Sequence, residues 1–305
     1  MINTPKELSD IEVGLYKSGY GFCEKLVKEE HMTIAAAVEK TAAKFAGLNM
    51  ISDMECFKTF LFSEVTAYTE PSIGVCDPNL EDKTWWDELK QDPKFKPEYW
   101  SRYYDYLLRK PSWSITAVED INSSTDEIMN ALANPRKGAA IDRMGMVFGY
   151  VQSGKTAHYI GMINKAYDAG YRIVIVLSGI HNSLRSQTQS RIDEEVLGYE
   201  TSLEYIGDMT RERNVIGVGA GPHNQVDTVV QSITTRDEKG DVNKKTEGVS
   251  MMPPFMIVTK KNASVLRRIL RFFRKNHCAE IIGGKKKIPA KYPALIIDDE
   301  ADQAS

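Results

Sequence analysis

Several features that decide a protein's class are scarce or missing in this 305-residue chain. It has four cysteines, Cys23, Cys56, Cys76 and Cys278, and no two of them are spaced as CxxC. Only five histidines are present, none at a zinc-like interval from a cysteine, so neither a zinc module nor a disulfide scaffold is expected. No run approaches the roughly 20 apolar residues that cross a bilayer. The first ten residues lack the apolar stretch of a signal peptide. The expectation is a soluble, cytoplasmic protein with no membrane partner. A net charge of -3 gives no global attraction to polyanions, so any such site must be a local basic patch. No internal repeat is evident.

What is present divides near residue 135. The first part reads as mainly helical over 1–135. Residues 7–30 carry Leu8, Ile11, Leu15, Tyr16 and Tyr20 at mostly helical spacing. Residues 32–45 are rich in alanine, and 51–66 hold few helix breakers. Pro71, Gly74 and Pro78 mark a loop. Aromatics then cluster from Trp85 through Trp86, Tyr99, Trp100, Tyr103, Tyr104 and Tyr106 to Trp113. Such a cluster can stack on bases, but it fits a packed helix face better. Ser124 with Glu127 suits a capping box opening a short helix through Leu132, which Asn134-Pro135 would end.

Over 136–305 strands and helices alternate. Short apolar runs at 144–148, 172–177, 255–258 and 294–297 read as strands, with a further candidate at 215–218. Helices are expected at 155–169, stopped by Gly170, at 184–197, and at 264–275, the last one basic. This order predicts an α/β fold with a mostly parallel sheet. Residues 234–250 are polar and read as a mobile surface insertion.

The strongest motif is Gly149-Tyr-Val-Gln-Ser-Gly-Lys-Thr156, a full match to the Walker A pattern. A strand ends, the loop curls, and backbone N–H groups turn inward toward phosphate oxygens. Gly149 and Gly154 permit the dihedrals, Gln152 and Ser153 lie within the loop, and Lys155 reaches the β- and γ-phosphates. Thr156 offers its hydroxyl to Mg²⁺, and the following helix points its positive end at the same anions. The second motif is Ala294-Leu-Ile-Ile-Asp298-Asp299-Glu300-Ala301-Asp302. An apolar strand running into carboxylates is what a Walker B site needs. Asp299 is assigned to the metal through water and Glu300 to the attacking water as general base. Asp298 competes for the metal role if the register is off by one.

Asp299-Glu300-Ala301-Asp302 resembles motif II of superfamily 2 helicases and translocases. Leu177-Ser178-Gly179 resembles their motif Ia, and Val258-Thr259-Lys260-Lys261-Asn262 lies where a further strand-end motif contacts nucleic acid. Taken with Ser178–Gln189 and Leu295–Ser305, the loop resembles the Z1 (Z-one) domain family over roughly residues 110–305. Members of that family are described as candidate endonucleases with a helicase-like ATPase core, found in bacterial restriction and anti-phage gene clusters. The resemblance implies a RecA-like P-loop ATPase domain, ATP as nucleotide, Mg²⁺ as cofactor, DNA as partner, and association with other defence proteins. It also implies a second RecA-like domain, so a chain ending three residues after that motif is expected to be an incomplete portion, truncated after Walker B and weakly active alone. No paired-carboxylate-plus-lysine nuclease signature stands out. The alternative is a P-loop nucleotide-binding switch or scaffold without motor activity.

The candidate nucleic-acid contacts are Arg185, Gln189 and Arg191, with His181, Asn182, Ser183 and Gln187 beside them, and Lys260, Lys261 and Asn262. Arg267, Arg268, Arg271, Arg274 and Lys275 lie behind. The competing reading is that a basic helix is merely solvated. Lys285-Lys286-Lys287 reads as a surface turn.

Overall fold

The computed structural model describes residues 10–28, 30, 32–66, 73–75, 82–110, 113, 115–138, 143–148, 155–202, 213–221, 224–242, 254–275, 280–282 and 284–299. The chain forms two compact units. One gathers residues 1–72, 111–120 and 149–155; the other gathers 73–110, 121–148 and 156–305.

The first unit is built on three helices, α1 (Asp10–Lys28), α2 (Ile34–Ala46) and α3 (Met54–Thr66). Thr33 caps α2 by accepting from the Ala36 amide. Tyr16, Cys23, Leu26, Ala37, Val38, Phe45, Phe57 and Leu61 form their shared core. The Tyr16 and Phe57 rings meet edge to face at 4.9 Å. Among the described residues Cys23 and Cys56 are free thiols.

In the second unit a short strand, β1 (Ile73–Val75), lies inside the expected loop. Then come α4 (Trp85–Lys90), α5 (Glu98–Arg109) and α6 (Ile115–Ala131), the first six residues of which count with the other unit. The aromatic cluster is packed rather than displayed: Trp85, Trp86, Tyr99, Trp100, Tyr103 and Tyr106 are all buried. The indole N–H of Trp85 donates to the Leu132 carbonyl at 2.8 Å. The capping box at Ser124 is not formed. Ser124 and Thr125 sit inside the longer α6, and both hydroxyls bond back to the Ile121 carbonyl, an outlet that tolerates them within a helix. Asn134 instead caps the short turn Pro135–Lys137.

The strand β2 (Met146–Phe148) precedes the phosphate-loop sequence, and α7 (Lys155–Ala169) follows it. Helix α7 ends as expected, with Gly170 at φ +108°, a left-handed conformation that favours glycine. Gly161 lets α7 approach its neighbours closely. A Cβ there would stand 3.2 Å from both Thr125 and Trp100. Near the end of α7, Asp168 accepts the backbone N–H groups of Tyr99 (2.9 Å) and Trp100 (2.8 Å), supplying from outside the cap that Pro97 cannot give α5. Its carboxyl is pushed up to about 7, chiefly by burial, with those two amides pulling the other way.

The remaining elements are β3 (Ile173–Ser178), α8 (Asn182–Ile192), β4 (Gln231–Ser232), β5 (Phe255–Thr259), α9 (Ala263–Lys275), β6 (Glu280–Ile282), β7 (Lys285–Lys287) and β8 (Ala294–Asp299). Four strands make an all-parallel sheet in the order β4-β5-β3-β8. The chain is thus mixed α/β. Strand β3 is central, with Ile175 opposite Ile257 on one side and Ile296 on the other. All five residues of β5 are buried, as a parallel strand covered on both faces requires.

Four further expectations fail in this unit. The strand before the phosphate loop does not join the parallel sheet; β2 pairs antiparallel with β1, with Val147 opposite Gly74. The polar stretch beginning at 234 is not a surface insertion over its described part: Thr234, Thr235 and Val242 are all buried. Residues 243–250 lie outside the described residues. Residues 285–287 form β7 of a hairpin with β6 rather than a turn. The candidate strand at 215–218 is a single bridge, Val215 with Tyr199, followed by a 3₁₀ turn over Gly217–Ala220.

Candidate functional site

In open parallel sheets, ligands bind beyond the carboxyl ends of the strands. Here that edge carries Ser178 and Gly179 at the end of β3, Thr259 to Lys261 at the end of β5, and Asp298 and Asp299 at the end of β8. The parallel register puts Ser178 level with Asp299 and Leu177 level with Asp298. Three contacts knit the edge. The Lys261 amide donates to the Gly179 carbonyl at 2.8 Å. The Ser178 hydroxyl donates to the Thr259 carbonyl at 3.3 Å. Lys260 donates to the Asn182 side chain at 2.7 Å, holding the start of α8.

Neighbouring strand residues face opposite sides, and this separates the two aspartates. Asp298 forms an ion pair at 2.6 Å with Lys261, whose side chain is only 8% exposed. Asp299 instead lies in electrostatic range of the Tyr159 hydroxyl on α7. That phenol is pushed above its usual range, first by burial and next by the charge of Asp299; Arg191 and a hydrogen bond with Thr156 act in the other direction. Thr156 and Tyr159 stand three residues apart, on one face of α7. Thus Thr156 and Tyr159 are hydrogen-bonded on α7, and the Asp299 carboxylate lies within electrostatic range of that phenol. Of the two aspartates, Asp298 is the one paired with Lys261, and Asp299 is the one within electrostatic range of α7.

Tyr159 was not marked by the Walker patterns. The only signal for it in the sequence is its place one helical turn after Thr156. Arg191 is also within electrostatic range of that phenol. Its guanidinium is held at 3.3 Å by Glu195, which is nearly inaccessible. Glu195 belongs to a wide helical turn, Asp193–Leu197, that continues α8 and ends at Gly198 with φ +80°. Among the described residues no three His, Cys, Asp or Glu side chains form a metal cluster. A metal here would rest on the Thr156 hydroxyl, the Asp299 carboxylate, water and ligand oxygens. That hard oxygen set is the kind Mg²⁺ takes.

Gly149, Gln152, Ser153, Gly154 and Glu300 lie outside the described residues. Lys155 is the first residue of α7, as the motif requires.

Two nucleic-acid candidates must be withdrawn. Arg185 is fully buried and donates to the carbonyls of Thr235 (2.8 Å) and Asp237. Gln189 is fully buried as well. It donates to Asp193 at 2.8 Å and Ser232 at 3.2 Å, and accepts from Thr234 at 2.8 Å. Their polar groups are turned into the protein because α8 has too few apolar residues to line its own inner face. Arg191 remains 43% exposed, and Lys260 is half-buried against Asn182. Lys261 is engaged by Asp298.

Comparison of the chain with protein-family models, with curated proteins and with solved structures finds no match.

Proposed function

We propose that the α/β unit is a RecA-like P-loop ATPase that binds Mg²⁺–ATP at the carboxyl edge of its parallel sheet. We also propose that the chain is the helicase-like portion of a Z1-type candidate endonuclease acting on DNA in bacterial restriction or anti-phage defence. The observation that carries the nucleotide reading is the Thr156–Tyr159 pair on the helix that Lys155 opens, with the Asp299 carboxylate in electrostatic range of that phenol. Thr156 and Asp299 come from motifs more than a hundred residues apart in sequence, one from each half of a Walker pair, and Tyr159 stands one helical turn after Thr156. The DNA and defence parts rest on the motif resemblance alone.

In this reading the loop amides and Lys155 hold the β- and γ-phosphates. The Thr156 hydroxyl and, through water, the Asp299 carboxylate are the groups that would hold Mg²⁺. The ion supplies positive charge where the transferring phosphoryl oxygens become more negative. Tyr159 orients the Thr156 hydroxyl, and Glu300 takes a proton from the attacking water.

Titration of Mg²⁺–ATP into the chain and into Lys155→Ala tests this directly. Binding should be lost in the variant, and equal affinity of the two proteins sinks the assignment. Glu300→Gln should retain ATP and lose hydrolysis. A nucleotide-binding switch or scaffold without motor activity is the second reading. Hydrolysis stimulated by DNA separates the motor from the switch.

A further inference from the structure

The chain as a whole is slightly acidic, yet residues 263–292 contain nine lysines and arginines against a single acid, Glu280. Helix α9 opens that stretch and has no acidic residue. Its apolar positions settle its orientation. Val265, Ile269, Phe272 and Phe273 are buried. The last three pack on Ile173, Ile175, Phe255 and Ile257 of the sheet. Arg267, Arg268, Arg271, Arg274 and Lys275 are therefore left exposed. Among the described residues, Arg267, Arg268, Arg271 and Arg274 have no ion-pair partner.

We infer that the outer face of α9 is a docking surface for the phosphodiester backbone of nucleic acid. Arg267, Arg271 and Arg274 follow one another at four and three residues, so they line a single ridge. At 1.5 Å per residue they stand about 6 and about 4.5 Å apart along the axis. That is a spacing a chain of phosphates can follow. Guanidinium forks match phosphate oxygens two at a time, which ammonium groups do not.

Other anionic partners fit less well. A helix that lies on a bilayer turns its apolar side to the lipid, whereas the apolar side of α9 is spent on the sheet. Leu266 (36% exposed) and Leu270 (55%) lie beside the ridge, not on its crest. An acidic protein partner needs an apolar centre within a charged rim, and the crest is arginine throughout. A row of arginines on phosphate oxygens positions the nucleic acid without selecting its sequence. The surface deepens the DNA half of the function proposed above and does not depend on the nucleotide half.

The test is fluorescence anisotropy of short labelled single-stranded and duplex DNA with the full chain. About four phosphates neutralised give a slope near −3.6 in log affinity against log salt for duplex, or about a hundredfold loss from about 50 to 200 mM salt. The triple variant Arg267→Gln/Arg271→Gln/Arg274→Gln should flatten that slope to about −1 without lowering the thermal unfolding temperature. The corresponding triple glutamate variant should abolish binding. Unchanged DNA affinity in the glutamine variant, or no binding by the unaltered chain at low salt, overturns the proposal. So does binding to mixed phosphatidylcholine and phosphatidylserine vesicles that the arginines support while DNA binding ignores them. Mg²⁺–ATP binding by the same variant keeps the two readings apart. DNA binding lost with ATP binding retained supports the ridge by itself, and Lys155→Ala should still bind DNA.

Discussion

Helices α8 and α9 follow two adjacent strands of the same sheet, and both carry arginines, but they use them in opposite ways. On α9 the apolar residues recur at helical spacing and fill the side that meets the sheet, so every arginine of the helix is exposed. On α8 only Ile192 among the buried residues is apolar; the other two are Arg185 and Gln189. Its inner side is therefore completed by polar groups that satisfy one another and the 234–242 segment. The same residue type is a bracket in one helix and a free charge in the other. What separates them is whether the helix owns an apolar stripe.

This contrast can be broken most easily at Arg185. Arg185→Ala leaves the Thr235 and Asp237 carbonyls without their donor in the interior and opens a void where a large side chain was. A loss of about 3 kcal/mol is expected, read by urea or thermal unfolding. A loss below about 0.5 kcal/mol, ordinary for a surface position, would show that the bracket does not hold the segment.

The next effect is smaller and depends on pH. Asp193, at the end of α8, accepts from Gln189 and from the amide and hydroxyl of Thr201. Burial pushes its carboxyl up to about 6, against those bonds, from about 3.9 in an unfolded chain. The folded state thus holds this proton more tightly. The stability it contributes is fully present below about pH 4 and is lost as pH rises through about 6. Asp193→Asn should remove that decline, so the difference between the two proteins narrows or reverses from acid to neutral pH. A constant difference across the range counts against it. Variants of Arg267, Arg271 and Arg274 should follow the wild-type profile.

How much of this could be read beforehand followed the same division. The three main strands were legible because β-branched runs have few alternatives, and α7 was legible from a lysine–threonine start and a glycine stop. Helix α9 was legible as a basic helix, and in the structure its apolar stripe turns the basic side outward. The partner of β2 was not legible, because three apolar residues specify a strand but not its neighbour. Ser124 looked like a cap because a hydroxyl before a glutamate has that pattern, yet its carbonyl partner lay one turn back. The 234–242 segment looked solvated because its residues are polar. Its threonines are buried on partners such as Gln189, which is remote in sequence, and composition carries no record of that. At the candidate site, the residue types around Thr156 and Asp299 were legible from their motifs. The nearness of Tyr159 to Asp299 needed the fold that sets β8 beside β3.

The smallest effect is the most discriminating for the contrast. Arg271→Ala should change stability by less than about 0.5 kcal/mol, because the guanidinium is exposed and has no ion-pair partner among the described residues. Helix propensity alone predicts little, since alanine is as good a helix former as arginine or slightly better. A modest rise is the more specific expectation. Arg267, Arg268, Arg271, Arg274 and Lys275 repel one another across three turns, and removing the middle charge of the ridge relieves several like-charge contacts at three and four residues. Unfolding at low and high salt separates the causes. Relief of repulsion disappears as salt screens it, whereas a true packing role for Arg271 would show as a loss that salt leaves intact.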